Sequence, residues 1–152
     1  MKLTIRLVHL GWIEATIQHH EDSLGITASY IGDAPRELLE AVEQLQTGAA
    51  TARCRWLEEP GEYRWIFERT GALVDVRILW FDDGWHDSDD AGVMRFESTV
   101  SLSELAFSVT DGMSRMVSES GGPEGYFRKW TMAFPENVLG SVQSRLRAPE
   151  QR

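Results

Sequence analysis

Residues 82–92, DDGWHDSDDAG, form the densest group of potential metal ligands in the chain. Clustered carboxylates do bind Ca²⁺ or Mg²⁺. The spacing fails the calcium-loop pattern, however, because Ala91 and Ser98 stand where two of the later ligands belong. We therefore expect a solvated loop that faces a protein partner. Its candidate contact residues are Asp82, Asp83, Trp85, Asp87, Asp89 and Asp90.

Three more carboxylates surround a Pro-Gly turn in residues 56–65, WLEEPGEYRW. Paired carboxylates such as Glu58 with Glu59 or Glu62 can form a hydrolase dyad. A tight turn at the end of a sheet is open to solvent, so we expect these three groups to keep ordinary pKa values. The sequence favours a role as acidic partner contacts.

His19 and His20 are adjacent and precede Glu21 and Asp22, and these residue types serve in zinc sites and in acid–base catalysis. Neighbouring residues on a strand point to opposite faces, so the two imidazoles cannot share one ion if the strand continues there. The chain contains no GxGxxG, Walker, GxSxG or HExxH motif. The sequence therefore predicts no catalytic residue, no metal and no cofactor.

The composition points to one acidic globular domain over residues 1–152, with a frayed tail at 146–152. Fifteen basic residues against 24 acidic ones give a net charge of −9, which argues against nucleic-acid binding and fits a basic protein partner. Cys54 is the only cysteine, so an internal disulfide is excluded, and its place in an alternating segment indicates a buried thiol. Without a signal-peptide pattern or a membrane-length apolar run, the cytoplasm is the expected compartment.

The hydrophobic periodicity predicts an α+β fold. We expect an antiparallel meander sheet of about six or seven strands, one helix after the third strand, and two or three C-terminal helices packed on one face. The predicted strands cover 3–7, 12–18, 26–31, 50–58, 62–69, 72–81 and 93–100. The predicted helices cover 35–47, 105–117, 126–132 and 135–146. Asp33 and either Ser101 or Ser103 are the expected helix caps.

The segment from 50 to 81 has a specific predicted register. If Glu59 to Glu62 form the first turn, Trp56 faces Trp65. If Thr70 and Gly71 are the central residues of the next turn, Trp65 faces Val76. Both hairpins then place the same apolar side chains on one face of the sheet, and a slip of one residue in either hairpin would destroy that agreement.

Residues 29–33, SYIGD, and 56–63, WLEEPGEY, resemble a group of small uncharacterised bacterial proteins that combine a Ser-Tyr-x-x-Asp segment before a helix with a Trp-x-x-Glu-Pro-Gly-Glu-Tyr hairpin. The likeness covers about residues 26–83 and implies no activity. Proteins of this size and charge also resemble immunity proteins encoded beside contact-dependent growth-inhibition or other polymorphic toxins. That likeness implies a non-enzymatic protein that neutralises a toxin.

We therefore expect an immunity protein whose partner is a cognate toxin domain, a nuclease for example. Two alternatives stay open. The first is a ligand-binding protein or hydrolase with a pocket between the sheet and the C-terminal helices, using His19 or His86. The second is a homo-oligomer that pairs through Arg64, Ile66, Arg77 and Leu79.

Overall fold

The computed structural model describes residues 1–83 and 88–148. Seven strands form two antiparallel sheets, sheet A with the order β1-β2-β3 and sheet B with the order β4-β5-β6-β7. The strands of sheet A are β1 (Lys2–His9), β2 (Trp12–His19) and β3 (Asp22–Ser29). Those of sheet B are β4 (Thr51–Leu57), β5 (Glu62–Thr70), β6 (Leu73–Phe81) and β7 (Val93–Ser101). The helices are α1 (Ala34–Gln46), α2 (Leu102–Glu119), α3 (Gly122–Trp130) and α4 (Glu136–Arg147), with a 3-10 turn at Asp89–Ala91.

The α+β class, the seven strands and the helix after the third strand are confirmed. The single continuous sheet is wrong, because α1 follows β3 in the chain and no strand pairing among the described residues joins sheet A to sheet B. One hydrophobic core nevertheless includes side chains of both sheets and of the helices. Helix α1 packs against β4, α2 packs against β1, and α4 contacts both α1 and α2.

Strand β3 begins earlier than predicted, since the polar residues from Asp22 onward already pair with β2. Strand β2 ends at His19, and His20 takes the turn with a φ of 55°. The polar residues fit a strand here because one face of sheet A is open to solvent, so alternate positions need not be apolar.

The two hairpins of sheet B differ from the predicted register by two residues. Trp56 lies opposite Tyr63 instead of Trp65, and Trp65 lies opposite Ile78 instead of Val76. Thr70 pairs with Leu73, and Gly71 supplies the left-handed φ of 61° at the first position of the turn. Because side chains alternate with a period of two, the shift preserves the buried face.

A side-chain cap sets the start of α2. Ser101 caps this helix by accepting a hydrogen bond from the backbone N–H of Glu104 at 3.1 Å, so α2 begins three residues before the predicted 105. Helix α3 begins at Gly122 without a side-chain cap, within a segment expected to be a flexible connection. Asp33 stands at the predicted cap position of α1, but its carboxylate accepts from the indole N–H of Trp130 at 3.0 Å.

Candidate functional site

Two acidic segments far apart in sequence meet at one end of sheet B. The turn at residues 58–61 and the described parts of the β6–β7 connection, residues 82–83 and 88–92, share this end, because Glu62 pairs with Phe81. Gly61 fits tightly there, since a Cβ on it would lie 2.7 Å from the carbonyl oxygen of Phe81. We define the acidic edge as the carboxylates of these two segments that retain exposure, Glu58, Glu59, Asp82, Asp83 and Asp90.

Glu62 belongs to a buried ion-pair network beneath this edge. Its side chain accepts two hydrogen bonds from Arg55, at 2.8 and 2.6 Å, and two from Arg64, at 3.1 and 3.5 Å. Glu62 is 1% exposed and Arg64 is 3% exposed. Arg55 and Arg64 are cross-strand neighbours, so the carboxylate between them relieves a like-charge repulsion.

Asp89 fastens the β6–β7 connection to the same network. One oxygen of its carboxylate accepts from Arg64 at 2.8 Å and the other from Arg53 at 2.7 Å. The backbone at Gly92 also presses on the sheet, because a Cβ there would lie 2.7 Å from the ring of Phe81. We call Arg53, Arg55, Arg64, Glu62 and Asp89 the arginine network.

A small apolar cluster completes this outer face of sheet B. Ile66, Leu79 and Phe81 are buried together, apart from the main core. The guanidinium carbon of Arg64 lies 4.2 Å from the centroid of the Phe81 ring, a cation–π contact. Arg64, Ile66 and Leu79, considered for homo-oligomer pairing, are therefore covered within the chain itself, while Arg77 pairs with Glu68 at 3.0 Å.

The pKa values of Glu58 and Glu62 are shifted, contrary to the expectation for the turn. Burial pushes the pKa of Glu62 upward, but the hydrogen bonds from Arg55 and Arg64 outweigh it and leave the pKa lowered. The pKa of Asp89 is lowered in the same way, against burial, by its two arginines. Burial raises the pKa of Glu58, against a hydrogen bond from the backbone of Glu59 that lowers it.

The predicted contact residues thus divide into three sets. The five of the acidic edge keep exposure, while Glu62 and Asp89 serve internal ion pairs. Trp85 and Asp87, with His86, lie outside the described residues. Sequence reasoning missed the arginine network, although the alternating arginines of β4 signalled that acids must lie against this face.

A second polar group links sheet A to sheet B and α2. His19 is 9% exposed, and its Nδ1 is hydrogen-bonded to the hydroxyl of Ser98. Its Nε2 lies 3.9 Å from the carboxylate of Glu104, which also pairs with the amino group of Met1. That separation exceeds a hydrogen bond, so the Ser–His–Glu series lacks the connected geometry of a catalytic triad.

The two histidines lie together instead of on opposite faces. Their ring centroids are 4.0 Å apart, because His20 occupies the turn where strand alternation has ended. Burial lowers the pKa of His19, and His20 and the N-terminal ammonium lower it further against the opposing effects of Glu104 and Asp22. Within residues 1–83 and 88–148, no three His, Cys, Asp or Glu side chains are arranged to hold a metal ion.

Concave surface lies on the C-terminal helices. A shallow groove of about 400 Å³ is lined by Phe127 and Phe134, and a second groove follows the polar side of α4. Neither groove is lined by a histidine. The rival prediction of a histidine-based pocket therefore gains no support from these two grooves.

Cys54 is confirmed as a buried thiol, and burial raises its pKa well above the usual value.

No protein-family model, curated protein or solved structure matches the chain. None of the helices described is both long and apolar enough to cross a membrane.

Proposed function

We propose that this protein is a non-enzymatic binding protein, an immunity protein that neutralises a cognate toxin by covering a basic surface with its acidic edge. The observation that supports this most directly is the meeting of two acidic segments at one end of sheet B. The toxin class that fits best is a nuclease, since nucleases bind phosphates with clustered basic side chains.

The internal ion pairs support the same proposal. Glu62 and Asp89 pair with Arg53, Arg55 and Arg64, so two of these three positive charges are balanced within the network. Glu59, Asp82 and Asp90 remain exposed. An acidic surface on a protein of net charge −9 accelerates encounter with a basic partner and discriminates against acidic ones.

A growth assay tests the proposal. Each gene adjacent to the one encoding this protein is expressed in a bacterial host, alone and together with it. We expect one neighbouring product to arrest growth and co-expression to restore it. If every arresting product stays toxic during co-expression at verified protein levels, the immunity function is wrong.

Charge variants then test the surface. The edge variant combines Glu58→Gln, Glu59→Gln, Asp82→Asn and Asp90→Asn. The control variant removes four exposed charges elsewhere, with Glu21→Gln, Glu119→Gln, Glu124→Gln and Glu136→Gln. With a toxin from the growth assay, the edge variant should associate at least tenfold more slowly at low salt and with a flatter salt dependence. Equal association rates for the two variants would remove the acidic edge from the interface.

A further inference from the structure

Three side chains form a platform beside the acidic edge. Tyr63, Trp80 and Val93 lie side by side, because Tyr63 pairs with Trp80 and Trp80 pairs with Val93 across β5, β6 and β7. The ring centroids of Tyr63 and Trp80 are 4.6 Å apart. We call these three residues the aromatic platform.

Trp80 differs from the other tryptophans of sheet B. Trp56 and Trp65 are fully buried in the main core, whereas Trp80 is half-buried and is not part of that core. Its indole lies against the turn at Gly61, where a Cβ would be only 2.5 Å from the ring. Val93 beside it is 53% exposed. A large aromatic side chain kept outside the core at a surface edge is typical of a protein-binding anchor.

Glu58 gives the platform its chemical preference. Its backbone N–H donates to the carbonyl oxygen of Gly61 at 2.9 Å, in the same turn against which the Trp80 indole lies. Burial raises the pKa of the Tyr63 phenol, and the charge of Glu58 raises it further. No basic nitrogen of the described residues lies within ion-pair distance of this half-buried carboxylate. Arg95 on β7 is exposed, and its charge opposes the rise in the pKa of the Tyr63 phenol without reversing it.

We propose that the aromatic platform binds an arginine side chain of the basic protein partner, with Glu58 as its counter-ion. The guanidinium stacks on the indole of Trp80 while its N–H groups donate to the Glu58 carboxylate. Arginine fits better than lysine, because a planar guanidinium stacks on an aromatic ring and keeps its donors free at the edge. This inference rests on the proposed function for its partner, but the platform is tested separately.

The test uses N-acetyl-arginine N-methylamide as the probe and its neutral isostere N-acetyl-citrulline N-methylamide as the control ligand. The protein is labelled with ¹⁵N, and its six tryptophan indole N–H signals are followed by NMR. Trp80→Phe assigns the Trp80 signal, and unmoved signals from the other five indoles show that this variant is folded. We expect the arginine probe to shift the Trp80 signal selectively, with Trp12 on sheet A as the internal reference.

The variants decide whether the chemistry is as proposed. Glu58→Gln should weaken the apparent affinity for the arginine probe about three- to fivefold, whereas Glu119→Gln on α2 should leave it unchanged. Equal shifts with citrulline, an unaltered affinity in Glu58→Gln, or no selective shift at Trp80 would each overturn the inference.

The two proposals fail in different ways. If the arginine probe binds at Trp80 but no neighbouring gene product is neutralised, the immunity function is wrong and the platform stands. Suppose that Trp80→Phe and Glu58→Gln each bind the toxin as tightly as the unaltered protein and protect against it, whereas the edge variant loses both binding and protection. The inference about the platform is then wrong and the immunity function stands.

Discussion

Glu62→Gln is the substitution that most directly tests the arginine network. The change keeps the size of the side chain and one acceptor oxygen, but it removes the negative charge between Arg55 and Arg64. Removing one partner of a buried ion pair costs about 3–5 kcal/mol, because the other charge stays buried without compensation. The expected loss here is smaller, since Arg55 is 26% exposed and Arg64 keeps Asp89.

We therefore expect Glu62→Gln to lower the free energy of unfolding by about 2–3 kcal/mol. For a protein of this length that corresponds to a fall in Tm of roughly 5–10 °C. The assay is urea unfolding followed by tryptophan fluorescence, with a thermal melt as a second measurement. Glu68→Gln is the matched control, because Glu68 pairs with Arg77 at 3.0 Å while being 53% exposed. It should cost less than about 1 kcal/mol.

The pH dependence gives an independent check of the same network. The folded pKa of Glu62 is lowered, so its stabilising effect is present above the unfolded pKa and is lost as the pH falls through the folded value. Stability should therefore decline on acidification below about pH 5, and less steeply in Glu62→Gln than in the unaltered protein. If Glu62→Gln and Glu68→Gln have equal costs and equal acid slopes, the buried network does not stabilise the fold.

Three further outcomes follow from the described geometry. Gly61→Ala should lower the free energy of unfolding in urea by about 2–4 kcal/mol, because its φ is 101° and a Cβ would overlap its neighbours. Gly48→Ala, with a φ of 110° and open space around it, should cost only about 1–2 kcal/mol, and equal losses would contradict the close packing at Gly61. Because burial lowers the pKa of His19, the free energy of unfolding should fall as the pH drops below about 6.5. His19→Asn should flatten this pH dependence, whereas His9→Asn at an exposed site should not. An unchanged pH dependence in both variants would exclude His19 as the cause. The buried Cys54 thiol should react with a thiol reagent only on unfolding, and labelling at the rate of a free thiol under native conditions would be inconsistent with its burial.

Charge pairing was the least predictable feature of the candidate site. Glu62 and Asp89 look like their exposed neighbours in sequence, and both were expected to contact a partner. Their ion pairs depend on Arg53, Arg55 and Arg64, which reach the same place only after the sheet has formed. Whether a carboxylate is solvated or paired depends on such long-range neighbours.

The sequence by itself determined the type and order of the elements and the buried face of β4, β5 and β6. Alternation in β4, β5 and β6 depends only on local geometry, so a register error of two residues left Trp56, Trp65 and Phe67 in the core. Only the tertiary structure decided that there are two sheets, that the two acidic segments meet, and that Trp80 lies outside the core. These features depend on contacts between residues distant in sequence, which no local periodicity encodes.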